Sequence, residues 1–139
     1  MAFYPYLFFG RDCRQAFEFY EQVFGGELAL ITMNDMPSEQ PVPEGQGDLI
    51  MHAALTFDDG QLLMGSDDPS SEEPRPVNGM MVNYSVADVE RATKAFNALA
   101  EGGDVALPFG PTSWSQAFGM CVDRFGMPWM ISGDVPDSA

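Results

Sequence analysis

The sequence has very few positive charges. Its 139 residues contain six Lys and Arg against 21 Asp and Glu, which gives a formal net charge of −15. A strongly acidic surface repels nucleic-acid phosphates and anionic lipid headgroups. We therefore expect neither nucleic acid nor a membrane surface among the partners of this protein.

Long apolar runs and cysteines are also scarce. No stretch approaches the roughly 18 apolar residues that cross a bilayer, and residues 1–9 lack the basic start of a signal peptide. We therefore expect a cytoplasmic protein. The two cysteines, Cys13 and Cys121, are too few for a disulfide framework or a cysteine metal cluster. Both are predicted to be small core residues.

An internal repeat organises the chain. Residues 25–30 (GGELAL) recur as residues 102–107 (GGDVAL), and each copy follows a segment with helical apolar spacing. The spacing predicts helices over residues 12–24 and 87–101, each ended by a glycine. Ser85 with Asp88 resembles a capping pattern at the start of the second helix.

Extended runs surround both helices in the same order. One run precedes each helix and three follow it, with Asp58-Asp59-Gly60 as a turn between two of them. The runs are residues 3–9, 28–33, 49–57 and 61–66 in the first half and 80–84, 105–109, 116–123 and 127–132 in the second. The order predicts an α+β fold of two βαβββ modules. Because one such module cannot close its own core, we expect a single domain, with modules over about 3–66 and 79–133 and an acidic linker over about 67–77.

An ordered set of motifs resembles the PhnB-like proteins of the glyoxalase/bleomycin-resistance (vicinal oxygen chelate) superfamily. The motifs are residues 6–10 (YLFFG), 16–20 (AFEFY), 23–26 (VFGG), 51–55 (MHAAL), 62–67 (LLMGSD), 99–103 (LAEGG), Trp114 and residues 123–131 (DRFGMPWMI). The resemblance implies that the two modules form a curved mixed sheet around a cavity and that the protein is a homodimer. The superfamily includes glyoxalases, dioxygenases, epimerases, fosfomycin-inactivating transferases and metal-free bleomycin binders.

PhnB-like sequences have also been labelled as demethylubiquinone methyltransferases. The sequence does not support an adenosylmethionine site of the Rossmann type, since no strand is followed by G-x-G-x-x-G and a helix.

The resemblance places divalent-metal ligands, usually His and Glu, at three strand positions. Residues 3–7 (FYPYL) and 80–83 (MMVN) occupy two of them, and Met130 occupies the third. None of these side chains is a usual ligand of a hard metal. We therefore predict no metal and no cofactor, although a divalent metal remains an alternative, and we expect Asn83 and Met130 to contact a ligand instead.

His52, the only histidine, is the strongest candidate for chemistry. It alternates with Ile50, Ala54 and Thr56, whereas Met51, Ala53, Leu55 and Phe57 form a fully apolar face that should pack under the helix. His52 should then face the cavity, as a hydrogen-bonded structural residue or as a general base. Asp67 could orient it as a second catalytic residue or lie in a solvated turn.

The two tryptophans have different expected roles. Trp129 should share the helix-facing core with Met127 and Ile131, whereas Trp114 could stack on a ligand or a dimer partner. Residues 34–48 form a long connection with three prolines, which predicts a lid. We expect His52 and Trp114 to line one ligand cavity under it.

Three functions remain open. The first is a metal-free protein that binds an unidentified small molecule. The second is a metal-dependent lyase, isomerase or dioxygenase-type enzyme with a non-standard centre around His52. The third is a structural or regulatory homodimer without a ligand.

Overall fold

The two predicted halves fold as two compact units. The computed structural model describes residues 1–35, 41–70 and 77–133, and the contacts divide the chain into Met1–Arg75 and Pro76–Ala139. The first unit contains β1 (Tyr6–Phe9), α1 (Cys13–Phe24), β2 (Glu27–Thr32), a 3₁₀ turn (Met33–Asp35), β3 (Ile50–Thr56) and β4 (Leu62–Asp67). The second contains β5 (Val82–Ser85), α2 (Val89–Ala100), β6 (Asp104–Gly110), β7 (Ala117–Val122) and β8 (Pro128–Gly133). The predicted α+β class and the repeated βαβββ order are confirmed.

Each module has its own four-stranded mixed sheet. The strand orders are β1-β4-β3-β2 and β5-β8-β7-β6. The pairs β1–β4 and β5–β8 are parallel, and the other pairs are antiparallel. The first strand of each module therefore pairs with the last one, beyond the intervening helix.

Each helix packs its apolar face against one face of its own sheet. In α1 the buried residues include Cys13, Phe17 and Tyr20, and the Phe17 ring meets that of Phe9 in β1 edge-on at 6.1 Å between centroids. In α2 the buried residues are Ala92, Ala95, Phe96 and Leu99. The buried residues of both helices recur at helical spacing, the pattern from which the sequence predicted the two helices.

A glycine in a central strand lets a helical phenylalanine approach each sheet closely. A Cβ on Gly65 in β4 would lie 2.7 Å from the ring of Phe17 and 2.6 Å from the carbonyl oxygen of Leu7. A Cβ on Gly119 in β7 would lie 2.9 Å from the ring of Phe96. These separations are too short for non-bonded carbon or oxygen atoms, so neither glycine has room for a side chain.

The helix ends match the repeat, but one predicted cap is wrong. Gly25 and Gly102 have φ of 77° and follow the two helices, as the glycine stops require. Asp88, not Ser85, caps α2, and its carboxylate accepts hydrogen bonds from the amides of Glu90 and Arg91. Ser85 lies in β5, so the helix starts three residues later than the Ser85 pattern required.

Strand and linker boundaries also shift. The strand predicted from residue 3 begins at Tyr6, directly after Pro5, which has no amide N–H to donate. The predicted acidic linker begins one residue too early, because Asp67 is the last residue of β4. Residues 71–76 of that linker lie outside the described residues. None of the helices in the described part of the chain is long and apolar enough to cross a membrane.

Candidate functional site

His52 forms a hydrogen bond with a tyrosine from another strand. The hydroxyl of Tyr6 in β1 lies 3.1 Å from Nδ1 of His52 in β3. Because β4 lies between these two strands, the tyrosine side chain reaches across it. The candidates from the sequence include His52, with Asp67 as a possible partner of the imidazole, but not Tyr6.

The hydrogen-bonded pair lies on the sheet face that does not carry α1, here called the helix-free face. Ala53 and Leu55 are fully buried on the helical side, whereas His52 and Ala54, which alternate with them, are half-buried. The structure thus places His52 on the face that the strand alternation predicted.

The alternation fails at the start of the same strand. Ile31 pairs with His52, but Thr32 pairs with Ile50, so Met51 is an extra residue opposite β2. Because of this β-bulge, the two residues before His52 lie on the sheet faces opposite to those predicted. Ile50, expected on the helix-free face, is buried, and Met51, expected under the helix, is exposed.

The hydrogen-bonded pair also makes aromatic contacts. The Tyr6 ring lies 5.7 Å from the imidazole of His52 and 5.2 Å from the ring of Phe8, centroid to centroid. Tyr6 is 38% exposed and Phe8 is 63% exposed. In the register of the sheet, Met64 pairs with Tyr6 on one side and with Ala54 on the other. The helix-free face therefore offers accessible aromatic and apolar side chains next to the Tyr6–His52 pair.

Asp67 does not lie in a solvated turn, which was one of the two roles expected from the sequence. It is 6% exposed, and its two carboxylate oxygens accept hydrogen bonds from the amides of Cys13, at 3.0 Å, and Ile50, at 2.8 Å. Cys13 is the first residue of α1, so the carboxylate meets the positive end of that helix. The contacts that the structure gives Asp67 join β4 to α1 and β3, and none of them involves His52.

In the second module, Asn83 and Met130 are neighbours, and their expected contact with a ligand stays a prediction. They are paired neighbours in β5 and β8, and Met120 of β7 pairs with Met130. The face that carries them is opposite α2, because Gly119 and Ile131 on the other face lie on the helical side. Asn83 is exposed, and its side-chain oxygen accepts a hydrogen bond from the hydroxyl of Ser85 at 3.3 Å.

Trp114 lies in the connection between β6 and β7. It is 71% exposed, and its ring meets that of Phe118 edge-on at 5.7 Å. The predicted cavity shared by His52 and Trp114 joins residues of the two modules and stays a prediction. Of the proposed lid, residues 36–40 lie outside the described residues. Backbone hydrogen bonds join the two ends of this segment: the amide of Met33 donates to the carbonyl of Leu49, and that of Asn34 to the carbonyl of Gly47.

Trp129 is a core residue, as predicted, and it has a polar partner that the sequence did not indicate. It is buried with Met127 and Ile131, and its indole N–H donates to the carboxylate of Asp123 at 2.9 Å. Asp123, in the turn between β7 and β8, also accepts from the amides of Phe125 and Met127.

The two cysteines are buried, as predicted, and we expect both to be inert in the native state. Burial, and then the negative charges of Asp67 and Asp12, raise the pKa of Cys13 well above its usual range. Burial raises the pKa of Cys121 to about 11. A raised pKa keeps a thiol protonated, and the thiolate is the reactive form.

At pH 8, Ellman's reagent should therefore detect no thiol in the folded protein and two thiols per chain after denaturation in guanidinium. Rapid release of one equivalent from the folded protein would contradict this.

No cluster of three or more His, Cys, Asp and Glu side chains suited to a metal ion occurs among residues 1–35, 41–70 and 77–133. The chemistry available on the helix-free face of the first module is therefore that of an imidazole, a phenol and exposed aromatic rings.

Comparison with known proteins gives concordant results. The sequence profile of the family described as 3-demethylubiquinone-9 3-methyltransferase matches residues 1–132. The crystal structure of protein PA1353 from Pseudomonas aeruginosa is similar, with 39% identity, a TM-score of 0.85 and coverage of 99% of each chain.

Two further solved structures have the same fold. One is a putative 3-demethylubiquinone-9 3-methyltransferase, PhnB protein, from Bacillus cereus, at 22% identity and a TM-score of 0.75 over 96% of this chain and 99% of that one. The other is a glyoxalase/bleomycin resistance protein/dioxygenase family enzyme from Burkholderia phytofirmans PsJN. It is 16% identical, with a TM-score of 0.64 over 95% of this chain and 97% of that one.

Proposed function

Since the chain belongs to the family described as 3-demethylubiquinone-9 3-methyltransferase, the PhnB-like branch of the glyoxalase/bleomycin-resistance superfamily, we propose that it binds a small molecule without the superfamily metal. The observation that carries this proposal is the Tyr6–His52 pair on the helix-free face of the first module. Ligand sites typically combine an apolar lining with a few polar groups that fix orientation. Tyr6, Phe8 and His52 offer that combination.

The residues at the expected ligand positions support a metal-free site. Asn83 and Met130 are neighbours in the second module, where the thioether of Met130 is a soft ligand and Asn83 offers one neutral amide oxygen in place of a His or Glu. In the first module Tyr6 already holds Nδ1 of His52. A centre around His52 would thus have one imidazole nitrogen and no second strong ligand in contact with it among the described residues.

The methyl-transfer activity in the family description is not part of this proposal. The sequence lacks the glycine-rich strand-to-helix turn of a Rossmann-type adenosylmethionine site. The described sheets are mixed, with one parallel strand pair in each module, rather than the parallel doubly wound kind.

The proposal predicts that ligand binding depends on His52. In a fragment screen by thermal shift in buffer with EDTA, we expect stabilising compounds whose affinity falls roughly 3- to 10-fold in His52→Ala, because one ligand hydrogen bond is lost. Glu18→Gln is the matched control, since Glu18 is exposed on α1 and away from the helix-free face. Equal affinity in His52→Ala and the parent would place the site elsewhere.

Elemental analysis distinguishes the metal-dependent alternative. Protein purified without chelator should contain much less than one divalent metal per chain. About one Zn, Ni, Mn or Fe per chain, lost in His52→Ala, would replace the proposal by a metal-dependent enzyme. A screen without any stabilising compound would favour the structural or regulatory function.

A further inference from the structure

We propose that Tyr6 fixes the tautomer of His52, so that the helix-free face of the first module binds an uncharged aromatic carbonyl compound through Nε2–H. This inference rests on the proposed function and adds the class of ligand and the direction of its hydrogen bond. It makes Tyr6 a positioning residue, which acts on the ligand through His52.

The direction of the Tyr6–His52 hydrogen bond follows from the chemistry of the two groups. A neutral imidazole has one N–H and one bare nitrogen, and the partner of one nitrogen sets which of the two carries the proton. A phenolic O–H is a strong donor, but its oxygen is a weak acceptor because its lone pair is delocalised into the ring. The bare imidazole nitrogen is a strong acceptor. Tyr6 therefore donates to Nδ1, and the proton of His52 lies on Nε2.

Nε2–H is then the donor that remains for a ligand. The hydrogen bond to Tyr6 is the only one that the imidazole of His52 makes with the part of the chain that the structure describes. A half-buried donor covered by an apolar ligand must be satisfied, since an unsatisfied one costs about 1 to 3 kcal/mol. The atom that meets Nε2–H should therefore be an acceptor, and in an uncharged molecule a carbonyl oxygen is the simplest one.

The surroundings favour a flat and uncharged molecule. The ring of Tyr6 lies 5.2 Å from that of Phe8 and 5.7 Å from that of His52, and Ala54 and Met64 lie on the same face. Aromatic faces and edges bind other rings well. The formal charge of −15 opposes the approach of an anion, which disfavours a carboxylate or phosphate as the acceptor.

The tautomer can be measured without any ligand. His52 is the only histidine, so a ¹⁵N-labelled sample gives one pair of imidazole nitrogen signals. In mildly alkaline buffer, where imidazole is neutral, Nδ1 should resonate as a bare nitrogen and Nε2 as a protonated one. In Tyr6→Phe both signals should move towards the average of the two tautomers. Tyr4→Phe, which removes a hydroxyl from another exposed tyrosine of the same module, should leave them unchanged.

A proton on Nδ1 in the parent protein would overturn the proposal, as would unchanged signals in Tyr6→Phe. The folded state of each variant is checked by the amide spectrum, so that a shift caused by unfolding is recognised.

The ligand class is tested with 1-indanone and with indane, which has the same ring system without the oxygen. Titration followed on the His52 nitrogens should show 1-indanone binding at least about threefold more tightly, with the Nε2 signal moving most. Tyr6→Phe should reduce this preference, and Tyr4→Phe should not. Equal affinities would overturn the carbonyl inference while small-molecule binding stands. Binding of neither compound would overturn the aromatic class, and the proposed function would then depend on its own fragment screen.

Discussion

Replacing Asp67 with alanine is expected to lower the free energy of unfolding by about 2 to 5 kcal/mol, because two buried amides lose their acceptor. The carboxylate accepts from Cys13 and Ile50, and both of these residues are buried. The Cys13 amide belongs to the first turn of α1, where no backbone carbonyl of the helix can replace the lost acceptor. Asp67→Ala also removes charge-assisted hydrogen bonds, because the acceptor is a carboxylate, and such bonds are stronger than neutral ones.

The measurement is chemical denaturation followed by circular dichroism. Asp58→Ala is the control, since Asp58 is an exposed aspartate in the turn between β3 and β4 and its removal should change stability by no more than about 0.5 kcal/mol. Asp67→Asn keeps the shape of the side chain but offers one acceptor oxygen for two amides. Its free energy of unfolding should therefore lie between those of the parent and of Asp67→Ala. If Asp67→Ala is as stable as the parent, Asp67 does not hold α1 to the sheet.

Both tryptophans lie in the second unit, which helps to localise this effect. Their fluorescence reports the second module, whereas circular dichroism reports both. We expect Asp67→Ala to shift the circular-dichroism transition to lower denaturant and to leave the native tryptophan emission unchanged. A changed native emission would show that the effect of Asp67 is not confined to the first module.

The βαβββ order could be predicted from the sequence because its signals are local. Apolar spacing identified both helices, alternation and turn residues identified the strands, and the repeated GG motif related the two halves. Gly25 and Gly102 show why this worked, since a positive φ after a helix is a property of one residue and its neighbours. Such signals do not depend on which strands pair.

The features that the sequence analysis missed depend on strand pairing and on contacts distant in sequence. Asp67 stands beside an acidic segment and has the composition of a surface turn, but its amide partners are 54 and 17 residues away. The bulge at Met51 breaks a two-residue period, and only the pairing with β2 reveals it. The contact of Tyr6 with His52 across β4 likewise requires the sheet order.

The expectations about function also divide into those that rest on local sequence motifs and those that do not. The resemblance to a known family followed from an ordered set of short motifs, and the match over residues 1–132 shows that the chain belongs to the family described as 3-demethylubiquinone-9 3-methyltransferase. The homodimer, the cytoplasmic location, the shared cavity of His52 and Trp114 and the lid over residues 34–48 stay predictions. Each of them concerns surfaces and assemblies, and the residues that carry them have no local pattern that distinguishes a bound surface from a free one.

Replacing Asp123 with alanine should destabilise the protein by about 3 to 5 kcal/mol, because three donors converge on one buried carboxylate. Asp123 is 3% exposed. One of its oxygens accepts from the amides of Phe125 and Met127 at 2.9 and 3.0 Å, and the other accepts from the indole N–H of Trp129 at 2.9 Å. These bonds close the turn between β7 and β8 and orient the largest side chain of the second core.

A double-mutant cycle separates the turn from the tryptophan. Asp123→Asn can still present its oxygen to the two amides, but its NH₂ group then opposes the indole N–H. We therefore expect Asp123→Asn to cost about 2 kcal/mol in the parent and clearly less in a Trp129→Phe background, where that clash of donors is absent. Asp104→Ala, at the exposed start of β6, is the matched control and should have little effect. Unfolding is followed by circular dichroism, because Trp129 itself is changed. Equal costs in both backgrounds would mean that Asp123 stabilises the turn alone and that its bond to Trp129 contributes nothing measurable.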